Sequence, residues 1–248
     1  MVTTQQKRTR ERKRPWPIEF YGSSVGKKSV MAITGIVLLG YIATHMLGNL
    51  KVYFGPEDIN GYGEALRDLG GHLIPRTHLL WLLRIGLTVA FVLHIHAAYS
   101  LTLLNRRQRP VAYAARREYL IASYASRTMA WTGTIVLLFL VFHLADLTWG
   151  AEPAVSGDFE RGEIYNNMIA TFSRWPVSLL YIVANLALGL HVFHGVWSLF
   201  QSLGISNPRF NKWRRHLALG FTVVVIGGNL TFPLAVLSGI LGESGFLA

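Results

Sequence analysis

Four histidines lie inside four separate apolar stretches of this chain: His45, His96, His143 and His191. An imidazole in hydrocarbon is costly unless something binds it, so an ionisable side chain within a membrane span reads first as a functional residue. Five apolar stretches, near 29–50, 78–104, 128–149, 176–200 and 217–241, stand out. Each reaches the ~20 residues that a helix rising ~1.5 Å per residue needs to cross a ~30 Å hydrocarbon core. A chain of 248 residues that is 51% hydrophobic and 15% charged suits one integral membrane domain better than a soluble enzyme. The first stretch is too long for a cleaved signal sequence, and no small-residue cleavage pattern follows it. The expected fold class is all-α, an integral membrane bundle of five transmembrane helices, with 1–28 as a basic arm and 29–248 as the transmembrane domain.

The formal charge of +11 does not point to nucleic acid, because its distribution follows the spans. Three clusters, Lys7 to Lys28, Arg106 to Arg127 and Arg209 to Arg215, hold 18 of the 24 Lys and Arg, and a five-span chain puts all three on one side. The positive-inside rule makes that side cytoplasmic, with the N-terminus inside. Topology signalling together with attraction to anionic lipid is the preferred reading of this basic surface, and docking of an acidic cytoplasmic partner is the other. The chain has no cysteine, which excludes disulfides, thiolate-ligated haem and any iron–sulfur cluster held by its own thiolates. A bound metal must therefore be held by histidine.

Because the spans alternate in direction, the histidines pair by depth. His45 and His143 lie sixteen and fifteen residues from the inner surface, and His96 and His191 eight and nine. The two levels are separated by roughly 10 Å at helical rise. Two imidazoles per level, with small residues such as Gly40, Gly48, Gly133 and Gly189 nearby, fit iron already held by a porphyrin better than zinc, which wants four clustered ligands. Iron with imidazole on both axial faces keeps no open position and passes electrons. The bundle is thus expected to hold two stacked haem sites.

Other polar residues have weaker roles. His94 is about 200° around the helix from His96, so only one of them faces a given cofactor. His194 shares a face with His191 and reads as a haem-edge contact or an interhelical hydrogen bond, the latter preferred. His72, His78 and His216 are expected in solvent. Arg84 is expected to meet a haem propionate, to pair with Asp146 or to snorkel to the interface. Lys27, Lys28, Ser126 and Arg127 could hold propionates at the inner level. Glu64 and Asp68 share one face of a short helix in the outer loop 51–77, expected to open at Asn60 and end at Gly70-Gly71. Glu64 is the candidate for proton transfer at an outer quinone site, with a solvated acidic face as the alternative. The stretch 151–174 reads as irregular, and Arg14-Pro15-Trp16-Pro17 as resisting helix.

Four segments resemble one family, the single-chain, five-helix, di-haem cytochrome b membrane anchors of succinate dehydrogenases and fumarate reductases. They are Thr44-His45-Met46-Leu47-Gly48-Asn49, His96-Ala97-Ala98-Tyr99-Ser100, Phe142-His143, and the stretch from Gly189 to Phe200 with His191, His194, Gly195, Trp197 and Ser198. The resemblance implies His45 with His143 and His96 with His191 as axial ligands of two haems b, choosing His96 over His94 and His191 over His194. It also implies a subunit of succinate dehydrogenase (quinone), complex II of the tricarboxylic acid cycle, in a bacterial cytoplasmic membrane. The implied partners are a flavoprotein and an iron–sulfur subunit on the cytoplasmic side, the bilayer, menaquinone or another quinone, and further copies of the complex. Such a chain does not itself oxidise succinate; it carries electrons from the iron–sulfur subunit to quinone. The long loop around Gly61-Tyr62-Gly63-Glu64 and the extra His94 and His194 depart from the family pattern. Two alternatives are a di-haem anchor of another membrane dehydrogenase and a non-redox membrane protein with structural histidines.

Overall fold

A computed structural model describes residues 15–108, 124–155, 159–205, 207, 211–242 and 245–246; for 124–126, 211–212 and 245–246 it describes the backbone alone. Five helices are long and apolar enough to cross a membrane, over Ser24–Phe54, His78–Arg107, Arg127–Trp149, Trp175–Ser202 and Trp213–Leu237. Helix α1 (Trp16–Gly22) precedes the first span helix α2 (Ser24–Asn49), which runs through a 3-10 turn, Leu50–Phe54, into α3 (Pro56–Arg67). Helices α4 (His78–Arg107) and α5 (Tyr124–Leu144) follow, and a π-helical turn, Ala145–Trp149, ends the third span. Helix α6 (Ile164–Ser173) leads into α7 (Trp175–Ser202) and α8 (Asn211–Leu237), and a short hairpin pairs β1 (Leu241–Gly242) with β2 (Gly245–Phe246).

Three sequence expectations are corrected. Trp16 and Pro17 lie in helix, not outside it, because proline in a first turn costs no intrahelical hydrogen bond. Helix α3 opens at Pro56 rather than Asn60, after the left-handed Gly55 (φ 105°), and stops at Arg67. The stretch 151–174 holds the ten-residue helix α6, whose Tyr165, Met168, Ile169 and Phe172 recur at helical spacing and are all buried.

At the outer end these side chains join Val52, Ile59, Tyr181, Phe232, Ala235 and Leu241 in the larger apolar core. Each such side chain, fully buried, contributes roughly 1.5–3 kcal/mol. Polar bonds fix the cap: Asn60 Nδ2 donates to Glu163 Oε2 (3.0 Å), Tyr165 N donates to Asn60 Oδ1 (3.1 Å), and Tyr165 Oη donates to the Gly242 carbonyl (2.7 Å). Burial pushes the Tyr165 phenol pKa up, so it stays a donor. Helix α2 can lie against α3 only because residue 48 is glycine; a Cβ there would sit 2.6 Å from the Tyr62 ring.

Within the bundle α2 packs along α4, α5 along α7, and α7 along α8, with α2 also touching α7 and α8. Among the described residues the backbones of α2 and α5, and of α4 and α7, do not pack closely. Side chains cross those two gaps.

Candidate functional site

Across the gap between α2 and α5, the rings of His45 and His143 meet with centroids 5.9 Å apart and planes at 82°. The ring of Tyr41 stacks on His45 (5.4 Å, 11°), and the Nδ2 of Asn49 approaches His45 Nε2 at 3.4 Å. That contact is long for an N–H···N bond and leaves Nε2 as the acceptor. His143 is held more firmly. Its Nδ1 lies 3.3 Å from Tyr181 Oη, and Tyr181 donates its own proton to Asp146 Oδ2 at 3.0 Å. A phenol has one proton to give, so Tyr181 accepts from His143 Nδ1–H, which leaves the Nε2 lone pair uncommitted.

On α4 the structure gives His96 and His94 different partners. His96 is exposed, stacked on Tyr21 (5.8 Å, 24°) with Nδ1 2.6 Å from Tyr21 Oη, so it is tied to α1 and not to His191. His94, two residues away on the same helix, is held instead against α2. His94 Nδ1 lies 3.2 Å from Thr34 Oγ1, whose hydroxyl proton goes to the Val30 carbonyl (2.7 Å) or that of Met31 (3.2 Å). His191 Nδ1 lies 3.4 Å from Thr132 Oγ1, whose proton goes to the carbonyl of Thr128 (3.1 Å) or Met129 (3.2 Å). Each threonine therefore accepts from a histidine Nδ1–H, and both Nε2 atoms keep free lone pairs.

Glycine follows each threonine. A Cβ on Gly35 would lie 3.5 Å from His94 Cε1, and one on Gly133 would lie 3.3 Å from His191 Cε1. The two cradles are copies of one pattern. Thr34-Gly35 and His45 recur ninety-eight positions later as Thr132-Gly133 and His143, and Leu93-His94-Ile95 recurs ninety-seven positions later as Leu190-His191-Val192.

The remaining candidates separate from these pairs in various ways. Asp146, fully buried, pairs with Arg174 Nη2 (2.6 Å) and accepts from Thr171 Oγ1 (3.3 Å), so Arg84 is not its partner. The Arg84 guanidinium lies 5.2 Å from the Trp81 ring centre, in the snorkelling arrangement. His194 forms no interhelical hydrogen bond through Nδ1; that atom is buried without a partner, and the ring meets Trp197 edge-on at 5.9 Å. Lys27 Nζ caps α1 by donating to the carbonyls of Tyr21 (3.0 Å) and Gly22 (2.9 Å). Lys28 and Arg127 are exposed, as are His72, His78 and His216. Ser126 lies on α5, and its side chain is outside the described residues. Glu64 is held by Arg67 and Arg76, and Asp68 by Arg76 (3.0 Å).

Among the described residues no group of three or more His, Asp or Glu side chains gathers where a bare metal ion could sit. The arrangement instead offers two axial donors at each of two levels. From Thr34 to His45, and again from Thr132 to His143, is eleven residues, or about 16 Å along a helix. No protein-family model, curated protein or solved structure matches this chain.

Proposed function

We propose that this chain is the membrane anchor and electron-transfer subunit of a succinate:quinone oxidoreductase, with haem b at two levels and His45, His143, His94 and His191 as axial ligands. The supporting observation is the four imidazoles themselves. His45 and His143 face each other, and in His143, His94 and His191 hydrogen bonding at Nδ1 leaves Nε2 free to bind iron. At His45 the weak Asn49 contact is the one iron would replace. The unpacked gaps between α2 and α5 and between α4 and α7, and the Cβ-free surfaces of Gly35 and Gly133, are what a flat macrocycle needs.

Bound haem supplies one-electron transfer with no open coordination site. The chain's residues do the rest: they set imidazole tautomers, hold ring planes and keep water from the pairs. His94 takes the inner position that the family resemblance gave to His96. The basic span ends face a flavoprotein and an iron–sulfur subunit on the cytoplasmic side of a bacterial membrane, and the quinone is menaquinone or a relative. Succinate chemistry belongs to the partners.

A reduced-minus-oxidised spectrum of the purified complex, with haem-to-chain stoichiometry, tests this reading. Two haems b per chain and co-purifying flavin and iron–sulfur subunits are expected. Colourless protein, or quinone reduction unchanged after all four histidines are replaced, overturns it.

A further inference from the structure

Buried behind His143 is a charged network that axial ligation alone does not require. Asp146 lies three residues on from His143, in the π-helical turn, and so on the same side of the helix. It is fully buried, yet it takes a bond from Tyr181, one from Thr171 and an ion pair from Arg174. Arg174 also donates to the Ala154 carbonyl (2.7 Å), which joins the loop after the third span to the start of the fourth. Tyr181 cannot swing away. Phe139, Phe142 and Phe172 meet it edge-on at centroid distances of 4.9, 6.1 and 5.0 Å. A buried ion pair carries a desolvation cost that its own attraction does not reliably repay, so stability alone does not explain this carboxylate. Its open direction runs through Tyr181 to the imidazole.

Resting on the proposed function, we infer that Tyr181 and Asp146 are positioning residues for His143: they hold the proton on Nδ1 and pass carboxylate character to the ring, setting the reduction potential of the outer level alone. The inner pair has neutral threonine hydroxyls where the outer has this relay. A ring whose Nδ1–H points toward a negative charge is a stronger donor through Nε2, and stronger donation favours oxidised iron. The outer level is thereby held at lower potential than a threonine-type acceptor would leave it.

The test uses the full complex with Tyr181→Phe, which keeps the ring inside its phenylalanine cage and keeps the Asp146–Arg174 pair. Spectroscopic redox titration should show the outer component shifting upward by at least tenfold in its reduction equilibrium, about 59 mV for one electron, with the inner component unmoved. Asp146→Asn, which keeps an acceptor but removes the charge, should give a smaller shift of the same sign, and Asp146→Glu should restore the wild-type value. In parallel, 15N spectra of histidine-labelled chain prepared without haem should show His143 protonated at Nδ1 in wild type and losing that preference in Tyr181→Phe. Both potentials unchanged, or both shifted alike, would overturn the inference, as would an unaltered tautomer. If wild type binds no haem, the proposed function fails, and the tautomer measurement still decides the relay.

Discussion

The two imidazole levels solve one problem with different chemistry. At the inner level each ring leans on a threonine whose hydroxyl is already committed to its own helix backbone, so the acceptor is neutral and local. At the outer level the acceptor behind His143 leads through Tyr181 to a buried ion pair assembled from the third and fourth spans and the loop between them. A threonine one helix away sets a tautomer. A carboxylate set behind a phenol also sets a charge, and it needs tertiary structure to exist at all. The inner site is therefore the more self-contained of the two, and the outer site depends on the cap formed by α3 and α6.

The largest expected effect separates His94 from His96. His94→Ala should lose the inner haem and halve the haem-to-chain ratio, whereas His96→Ala, which removes only a surface bond to Tyr21, should keep both. The reverse result would return the inner site to His96 and break the comparison. Next, Arg174→Met leaves Asp146 buried and unpaired, a change that typically costs about 3–5 kcal/mol. It should lower the thermal midpoint in detergent and loosen the outer haem before the inner. Gly133→Val drives a branched side chain at His191, and overpacking of that kind costs about 1–3 kcal/mol. Faster haem loss from the inner level alone, on transfer to an apo-globin acceptor, is the expected readout. Thr132→Val removes a neutral acceptor worth about 1 kcal/mol and should move the inner potential slightly and the outer not at all. Smallest of all, Glu64→Gln should leave quinone reduction within twofold of wild type, because the carboxylate is occupied by Arg67 and Arg76 at the surface.

The five spans were legible because length and hydropathy are properties of a run of residues, and no tertiary contact is needed to read them. Helix α6 was not, since Pro153, Gly157 and Gly162 before it advertise a loop, although Tyr165, Met168, Ile169 and Phe172 carry the spacing of a buried face. The pairing of His45 with His143 followed from counting residues along opposed helices. The difference between His94 and His96 turns on rotation about one helix, which depth cannot resolve; it shows only in their partners, Thr34 for one and Tyr21 for the other. Asp146 was visible as an acidic residue at a span end, but its partner was not. The π-helical turn re-aims the chain after His143, and the arginine that meets Asp146 comes from beyond a loop rather than from the neighbouring span.

One further consequence lies in the ninety-eight-residue repeat. The hairpin of α2 with α4 and the hairpin of α5 with α7 each carry a Thr-Gly pair, a histidine eleven residues after that threonine, and a Leu-His pair on the returning helix. The facing rings of His45 and His143 come one from each hairpin. A lone hairpin of this design could grip nothing unless it found a twin. One chain that carries both hairpins supplies that twin in fixed proportion, and the halves differ: both have a threonine support, and the half made by α5 and α7 also has a buried acid.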